Sequence, residues 1–292
     1  MLCMTYLEAL RAGTEQLRPT CTDAERESRL ILGAVTGAPQ STQWSDPDRL
    51  LSTAQVKQYA AWLTRRANGE PFAYLTGQRE FWSLPLRVTP DVLIPRPETE
   101  LLVERALSLL ANNSSCVLDL GTGSGAIAIA LAHERPSWQI TATDTSAPAL
   151  AVARDNTRQL ALANIELLLG DWFEAVRGRR YALIVSNPPY IARDDAALND
   201  RALRHEPLAA LTPGGDGLTA LHHLVDVAPN FLDANGWLIL EHGASQHREV
   251  ANRLVARGYA QVRSHCDLAG HTRVTEGRWP VAFASTTNAG HT

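Results

Sequence analysis

Apolar residues recur at two different spacings along this chain, and the change of spacing divides it into parts. Between about Thr5 and Asn68 the spacing is helical and is interrupted at Pro19, at Gly37-Ala38-Pro39 and at Asp46-Pro47. This pattern predicts a small bundle of helices. The apolar positions that follow it are Leu7, Leu10, Leu17, Leu30, Ile31, Ala34, Val35, Val56, Tyr59, Ala60 and Leu63.

The pattern changes between Phe72 and Thr89, where aromatic and aliphatic residues surround Gly77. Such a run predicts a β-hairpin that links two domains. In residues 94–100, two prolines fix an extended backbone and acidic residues favour the start of a helix. The predicted parts are a helical domain at 1–71, a hairpin linker at 72–96, a larger domain at 97–285 and a flexible tail at 286–292.

After Ser115, short apolar runs alternate with helical stretches. This alternation predicts an α/β fold of the Rossmann-like kind, in which helices cover both faces of a parallel sheet. Two later runs, at 259–262 and 279–283, are expected to close the sheet as a hairpin. The other predicted strands are 116–118, 139–143, 165–169, 182–185 and 237–240.

Composition and charge restrict the function further. The chain has 292 residues, 45% hydrophobic and 20% charged, as in a soluble globular protein with room for two domains. A formal charge of -4 without a basic run disfavours direct nucleic-acid binding. Scattered cysteines and histidines give no disulfide framework and no metal-ligand spacing, so no metal is expected. Without a leader pattern or a long apolar stretch, we expect a cytoplasmic protein with no membrane partner.

A glycine-rich turn follows the first strand of the alternating region. Gly121, Gly123 and Gly125 allow a tight turn before a helix whose first N–H groups face a ligand. With Ala126 the spacing also fits a dinucleotide-binding turn, and a turn without a ligand is a further reading. Asp144 ends the second strand, where a carboxylate accepts both ribose hydroxyls. These residues predict a ligand that contains adenosine, without deciding which one.

The segment Asn187-Pro188-Pro189-Tyr190 follows the fourth strand, beside the glycine turn. Asn-Pro is common in turns, but a turn requires neither a second proline nor an aromatic residue. Asn187 offers a side-chain oxygen, Pro188 a backbone carbonyl and Tyr190 a flat ring, which together hold a planar NH₂ group. Acceptors placed in this way stabilise the positive charge that develops on nitrogen during methyl transfer. The motif therefore predicts methylation of a planar nitrogen.

Several other residues have a structural explanation that is as good as the functional one. Trp172 follows the third strand and can flank an adenine, although simple packing explains an aromatic residue there equally well. The charges of Arg96, Glu98 and Glu100 either shape the ligand pocket or are solvated at a helix start. His205 and Glu206 lie either near the substrate or in a loop ion pair.

Further motifs stand in a fixed order along the chain, and with residues 186–190 they closely resemble the HemK/PrmC family of release-factor glutamine methyltransferases. The likeness covers nearly the whole chain. Ser83, where the family usually has glycine, and Ala202-Leu203, where it usually has valine, depart from the pattern without touching the expected chemistry. The motifs that carry the resemblance are Phe81-Trp82, Ile94-Pro95-Arg96-Pro97-Glu98-Thr99-Glu100, residues 119–132, Arg204-His205-Glu206-Pro207, Ala210-Leu211, Gly215-Asp216-Gly217-Leu218, Leu240-Glu241-His242-Gly243 and Asp267-Leu268-Ala269-Gly270.

The resemblance implies a helical substrate-recognition domain, a hairpin linker and a seven-stranded class I methyltransferase domain whose last strand is antiparallel. It implies S-adenosyl-L-methionine as cofactor, S-adenosyl-L-homocysteine as product and no metal. The implied reaction methylates the side-chain amide nitrogen (N5) of the Gly-Gly-Gln glutamine in class-1 peptide-chain release factors, which tunes translation termination. The implied substrate residues are Asn187, Pro188, Pro189 and Tyr190, with Asn187, Pro188 and Tyr190 catalytic. The implied cofactor residues are Gly121, Thr122, Gly123, Ser124, Gly125, Asp144, Trp172 and Asn187.

Four other functions share part of this pattern. A ribosomal-protein glutamine methyltransferase would use the same chemistry. An adenine-N6 DNA methyltransferase would hold its NH₂ group in the same way but needs a basic groove and a flipped base. A nicotinamide oxidoreductase would use the glycine turn and Asp144 but leaves residues 187–190 without a role. A non-catalytic binding module is disfavoured by the intact reactive motif.

Overall fold

The computed structural model describes residues 4–110 and 114–280, which form two compact units. The first unit contains the described residues as far as Gln78, together with Asn199–Glu206. The second contains Arg79–Leu198 and the described residues from Pro207 onwards. Among the described residues, no helix combines the length and the apolar character that crossing a membrane requires.

The first unit is a bundle of helices, as the apolar spacing predicts. Its first helix begins with a capping box, in which the Thr5 side chain accepts from the Glu8 N–H at 3.2 Å and the Glu8 carboxylate accepts from the Thr5 N–H at 2.8 Å. Apolar side chains from several helices form one core in this unit. The helices are α1 (Tyr6–Leu17), α2 (Ala24–Thr36), α3 (Gln40–Ser45), α4 (Thr53–Ala67) and α5 (Phe72–Thr76).

The hairpin lies later in the chain than its sequence pattern predicts. Helix α5 occupies the first part of the expected hairpin, and Gly77, with φ 72°, ends that helix in a left-handed conformation. Strands β1 (Gln78–Phe81) and β2 (Leu84–Arg87) follow. They are joined by Trp82 and Ser83, whose φ angles are 53° and 58°. Turns with two positive φ angles usually contain Gly or Asn, so Trp82 and Ser83 did not indicate a turn at this place in the sequence.

The second unit is built on a seven-stranded sheet in the order β5-β4-β3-β6-β7-β9-β8. The strands β5 to β7 in that order are parallel, and β9 is antiparallel to both of its neighbours. This is the mostly parallel α/β fold predicted from the sequence. The strands are β3 (Cys116–Leu120), β4 (Gln139–Asp144), β5 (Ile165–Leu169), β6 (Tyr181–Ser186), β7 (Leu232–Glu241), β8 (Ala260–Cys266) and β9 (Thr272–Arg278).

The prediction of a final strand at 279–283 was wrong for residues 279 and 280, which do not belong to a strand. Residues 281–283 lie outside the described residues. Strand β9 ends at Arg278. Thr275 and Glu276 are fully buried in this strand, so it lacks the apolar pattern of a buried strand. The Glu276 carboxylate is held there by the Arg105 guanidinium at 3.0 and 3.1 Å, because a buried charge needs a partner.

Helices cover both faces of the sheet and give it two apolar layers. Side chains of α6 and α7 form one layer, and side chains of α10 and α11 form the other. Residues 126–132 of α7 are buried on every side, which explains why that helix is apolar all round. The helices are α6 (Glu100–Leu109), α7 (Ala126–Glu134), α8 (Ala147–Gln159), α9 (Leu208–Leu211), α10 (Thr219–Val227) and α11 (His247–Arg257).

The strand register brings three chemically important segments to one edge of the sheet. Leu120 of β3 pairs with Thr143 of β4 and with Ser186 of β6. The Ser186 hydroxyl also donates to the Leu120 carbonyl at 2.7 Å. The glycine turn, Asp144 and Asn187 therefore follow at the carboxyl ends of adjacent strands. The order of the strands changes direction between β3 and β6, which is where open α/β sheets bind ligands.

Asn156 joins the hairpin to the glycine turn. Its side chain is fully buried, and its Oδ1 accepts from the Arg87 N–H at 2.6 Å. Its Nδ2 donates to the carbonyls of Arg87 at 3.0 Å and of Ser124 at 2.9 Å. One amide therefore connects β2 to the glycine turn.

Asn156→Leu is expected to lower the free energy of unfolding by roughly 1–3 kcal/mol, because it leaves backbone groups buried without a partner. Urea denaturation measures this change. The control is Asp155→Asn, which weakens only the half-exposed ion pair of Asp155 with Arg87 and should change stability by about 0–1 kcal/mol. Equal effects of the two variants would contradict the connecting role of Asn156.

Candidate active site

A cavity of about 280 Å³ opens at this edge of the sheet, within the second unit. This volume is just below the ~300–1,000 Å³ range that is usual for ligand pockets. The lining comes from the glycine turn, from residues at or just after the ends of β4, β5 and β6, from residues 91–93 and from residues 207–210. Of the site residues expected from the sequence, those that line it are Gly121, Gly123, Asp144, Trp172, Asn187 and Pro189.

The glycine turn presents its backbone to this cavity. Gly121, Gly123 and Gly125 have φ angles of 72°, 56° and 85°, which favour glycine. A Cβ at Gly123 would meet no described atom within 4 Å, whereas one at Gly125 would lie 3.0 Å from Ile129 and 3.3 Å from Ala153. Gly123 thus leaves space for a ligand, and Gly125 allows the turn to pack against helices α7 and α8.

The side chains of Thr122 and Ser124 point away from solvent and are buried. The Thr122 hydroxyl donates to the Asp119 carboxylate at 2.6 Å. Burial raises the pKa of Asp119 to about 7, and the neighbouring carboxylate of Asp144 contributes to the increase. The Thr122 side chain therefore anchors the glycine turn on its buried side, while the backbone of the turn faces the cavity.

The Asp144 carboxylate is fixed in position by two backbone groups. Its Oδ2 accepts from the Gly123 N–H at 2.9 Å, and its Oδ1 accepts from the Ser146 N–H at 2.8 Å. An ionised carboxylate has about four acceptor sites, so both oxygens can still accept a ligand hydroxyl. Asp144 is thus an oriented acceptor at the cavity wall.

Trp172 lies beside the glycine turn in a strained backbone conformation. Its φ angle is 44°, which is uncommon for a residue other than glycine. The Thr143 hydroxyl donates to its carbonyl at 3.3 Å, and a Cβ at Gly121 would lie 3.7 Å from its ring. A flat ring at this place can stack on a planar ligand.

A larger cavity of about 620 Å³ lies next to this one and shares Asp171, Trp172 and Pro189 with it. Its lining includes the stacked rings of Phe173 and Phe231. The glycine turn does not line it. The smaller cavity is therefore the one that combines the Asp144 carboxylate with Asn187 and Pro189 of the reactive motif, whereas Pro188 and Tyr190, which the sequence also predicts at the substrate site, do not line it.

The Asn187 side chain is oriented by a hydrogen bond to Thr99, a residue that does not line the cavity. Its Nδ2 donates to the Thr99 hydroxyl at 3.2 Å. The oxygen and nitrogen of a carboxamide diverge by about 120° from its carbon, so this contact turns the nitrogen towards Thr99 and leaves Oδ1 without a role in it. Asn187 lines the cavity, and its Oδ1 is the side-chain atom that is not used in the contact with Thr99.

Tyr190 is held at both its hydroxyl and its backbone. The hydroxyl donates to Oε1 of Glu241 at 3.2 Å, and the carbonyl accepts from Nε2 of Gln246 at 3.0 Å. Gly217 packs against the same carbonyl, because a Cβ there would lie 2.3 Å from its oxygen. Burial raises the pKa of the Tyr190 hydroxyl, so this group remains protonated.

Some residues near the site gave no chemical signal in the sequence. Thr99 and Glu241 lie in motifs that carry the family resemblance, yet neither residue type alone indicates a role. Glu100, considered as a pocket residue, instead accepts from the Trp82 N–H at 2.8 Å in the hairpin turn. No group of three or more His, Cys, Asp or Glu side chains in the described residues is arranged to hold a metal ion.

This fold and this site define the chain as a methyltransferase of the class I type. The family model described as the methyltransferase small domain matches residues 97–263, and the PrmC N-terminal domain matches residues 8–77. A crystal structure of a methyltransferase from Pyrococcus furiosus is 17% identical with a TM-score of 0.52, and the match covers 77% of this chain and 99% of that one. At that identity the likeness concerns the fold alone.

Two relatives define the family more narrowly. The release factor glutamine methyltransferase of Pseudomonas aeruginosa is 46% identical over 261 residues, which cover 89% of this chain and 95% of the relative. The enzyme of the same name from Escherichia coli strain K12 is 43% identical over 276 residues, which cover 94% and 99%. The chain belongs to the release factor glutamine methyltransferase family, as its motifs predict.

Proposed function

We propose that this protein transfers a methyl group from S-adenosyl-L-methionine to the side-chain amide nitrogen of the Gly-Gly-Gln glutamine in class-1 peptide-chain release factors. The observation that carries the proposal is the orientation of Asn187. Its Nδ2 is bound to Thr99, so its Oδ1 is available to accept from an NH₂ group in the cavity. Family membership supports glutamine as the acceptor over adenine or a nicotinamide reaction.

The residues around the cavity fit the proposed cofactor. Gly121 and Gly123 allow close approach to the backbone, the oriented Asp144 carboxylate suits ribose hydroxyls, and the Trp172 ring suits adenine. S-adenosyl-L-methionine supplies an electrophilic methyl group when it is bound. Thr122, Ser124 and Gly125 complete the proposed cofactor set by fixing the shape of the turn.

The reactive motif would prepare the glutamine amide for methylation. A carboxamide nitrogen is a poor nucleophile because its lone pair is delocalised into the carbonyl. Asn187 Oδ1 and the Pro188 carbonyl would accept its two N–H groups, while Pro189 and the Tyr190 ring confine the amide plane. These fixed acceptors stabilise the positive charge that develops on nitrogen. They also keep the nitrogen in line for transfer.

Asp144→Asn is expected to weaken the binding of S-adenosyl-L-homocysteine by roughly 10-fold to 100-fold, because hydrogen bonds to a charged group contribute about 1.5–3 kcal/mol. Isothermal titration calorimetry of the purified protein measures the affinity. Asp233→Asn is the matched control. Asp233 is exposed near the start of β7, whereas the cavity lies at the edge of the sheet where the parallel strands end. Similar affinities for Asp144→Asn and the control would exclude Asp144 from cofactor binding.

The acceptor is tested by transfer of labelled methyl groups from S-adenosyl-L-methionine. The parallel substrates are a purified release factor, its Gln→Ala variant in the Gly-Gly-Gln loop, ribosomal proteins and double-stranded DNA. Label on the unchanged release factor alone is the expected result. Label on a ribosomal protein or on DNA would identify one of the alternative acceptors instead.

Three parts of the proposal extend beyond the catalytic site. We assign substrate recognition to residues 1–71, a linking role to residues 72–96 and the methyltransferase domain to residues 97–285, while the tail at 286–292 lies outside the described residues. We place the protein in the cytoplasm, where its proposed substrate acts. Methyl transfer without a metal, and without a direct nucleic-acid partner, remains a prediction.

A further inference from the structure

The backbone of the reactive motif is anchored at Tyr190 by the side chain of Gln246, which follows β7 and directly precedes α11. Nε2 of Gln246 donates to the Tyr190 carbonyl at 3.0 Å. Oε1 of the same amide accepts from the Gly243 N–H at 2.9 Å. The backbone N–H of Gln246 donates back to the Gly243 carbonyl, also at 2.9 Å. Gln246 is thus fixed to its own turn at both backbone and side chain, and from there its NH₂ group reaches the motif.

The two partners of the Gln246 amide decide which way it faces. A backbone N–H only donates, and a carbonyl only accepts. Oε1 must therefore face Gly243 and the NH₂ group must face Tyr190, because the reverse arrangement would lose both hydrogen bonds. Gly243 also lies close to the amide, since a Cβ there would be 3.1 Å from Oε1. Gln246 consequently presents a donor to the Tyr190 carbonyl in one fixed orientation.

The prolines of the motif make an anchor at this place important. Pro188 and Pro189 have no N–H, so neither can donate from its backbone to the rest of the fold. In the proposed reaction the Pro188 carbonyl accepts from the substrate amide, so it is not free to act as an anchor. Two contacts hold the ends of the segment instead. One is made by the Asn187 side chain, and the other by the Tyr190 carbonyl that Gln246 binds.

We infer that Gln246 is a positioning residue for methyl transfer, which sets the place of the Pro188 carbonyl and of the Tyr190 ring through the Tyr190 backbone. Because each proline fixes its own φ angle, a shift of the Tyr190 backbone is poorly absorbed by rotation and moves Pro188 as well. Gln246 lines neither of the two cavities described above, so it acts through other residues. The inference rests on the proposed function, which assigns Pro188 and Tyr190 to the acceptor amide.

Gln246→Glu removes the anchor and keeps the other contact of the side chain. An ionised carboxylate still accepts from the Gly243 N–H, but it has no hydrogen to donate to the Tyr190 carbonyl. We expect kcat with a release factor to fall about 10-fold, because a displacement of about 1 Å costs on the order of 100-fold and a smaller one costs less. The Tm should be retained, since a negative charge is favourable at the N-terminus of α11. The affinity for S-adenosyl-L-homocysteine should change little.

Gln246→Met separates positioning from a merely structural role. Methionine has a similar length, but it donates no hydrogen bond and accepts only weakly, so the Gly243 N–H also loses its partner. We expect this variant to lose kcat as Gln246→Glu does and, unlike it, to have a lower Tm. A structural role would make kcat follow Tm, so that only Gln246→Met would lose activity. Ser245→Asp is the charge control, because it adds the same charge at the neighbouring exposed residue and should retain kcat.

A double-mutant cycle with Gly217→Ala tests whether the two residues act on the same carbonyl. A Cβ at Gly217 would lie 2.3 Å from the Tyr190 oxygen, so alanine there displaces the group that Gln246 binds. Adding Gln246→Glu to Gly217→Ala should therefore cost little further kcat, because changes at residues with a shared partner are not additive. Adding it to Gly215→Ala should cost as much as it does alone, since a Cβ at Gly215 would meet no described atom within 4 Å.

Three results would each overturn the inference: normal kcat in Gln246→Glu, losses of activity that only follow Tm, or independent, multiplicative losses with Gly217→Ala. An active wild type with equally active Gln246 variants would contradict this inference alone. A wild-type enzyme that transfers no methyl group to the release factor would contradict the proposed function, and the inference with it.

Discussion

Replacing Asn187 with alanine is expected to lower kcat about 100-fold or more, because removing one oriented hydrogen-bonding group from an active site typically costs about 2.7–4 kcal/mol of transition-state stabilisation. Alanine removes the acceptor that faces the cavity and leaves Thr99 without the Asn187 contact. The loss should appear in kcat, because the interaction strengthens as charge develops on the acceptor nitrogen. Methyl transfer to a saturating concentration of release factor measures it.

Two measurements accompany this variant. Calorimetric titration with S-adenosyl-L-homocysteine should show a much smaller change in affinity than the change in kcat, even though Asn187 lines the cavity. Thermal unfolding should show that the variant is folded at the assay temperature. A folded Asn187→Ala enzyme with nearly normal kcat would show that another group holds the acceptor amide.

The second large effect is expected from Gly217→Ala, which should lower kcat by about 10-fold to 100-fold through displacement of Tyr190. A Cβ at Gly217 would lie 2.3 Å from the Tyr190 carbonyl oxygen and 3.0 Å from the Ala192 nitrogen. Since these are backbone atoms, no side-chain rotation relieves the overlap, and Tyr190 must move. A displacement of about 1 Å in an active site is enough for an effect on the order of 100-fold.

Gly215→Ala is a closely matched control. Both glycines have positive φ angles, 55° at Gly215 and 81° at Gly217, so alanine is strained at either position. A Cβ at Gly215 would meet no described atom within 4 Å, so only the backbone strain remains there. Measured together by kcat and Tm, the two variants separate displacement of Tyr190 from strain in the loop. Equal losses of kcat would contradict the role assigned to Gly217.

The two errors in the sequence-based fold have the same physical origin. A sequence pattern records how polar each position is, and it assumes that polar residues are exposed and that tight turns contain glycine. The buried Glu276 in β9 breaks the first assumption because Arg105 pairs with it. The turn at Trp82 and Ser83 breaks the second, since both residues adopt positive φ angles. In each case a tertiary contact or turn geometry overrode the local preference.

The sequence by itself determined the five parallel strands from β3 to β7, the glycine turn and the motif at 187–190. These features are local, because apolar runs mark strands buried on both faces and glycines mark tight turns. The family resemblance came from these motifs together with the further motifs that stand in order along the chain. The tertiary structure alone decided how the site is held: Asn187 contacts Thr99 across 88 positions, and Tyr190 contacts Glu241 across 51. Such contacts depend on which strand ends meet at the edge of the sheet, so only the folded arrangement determines which way the Asn187 amide faces.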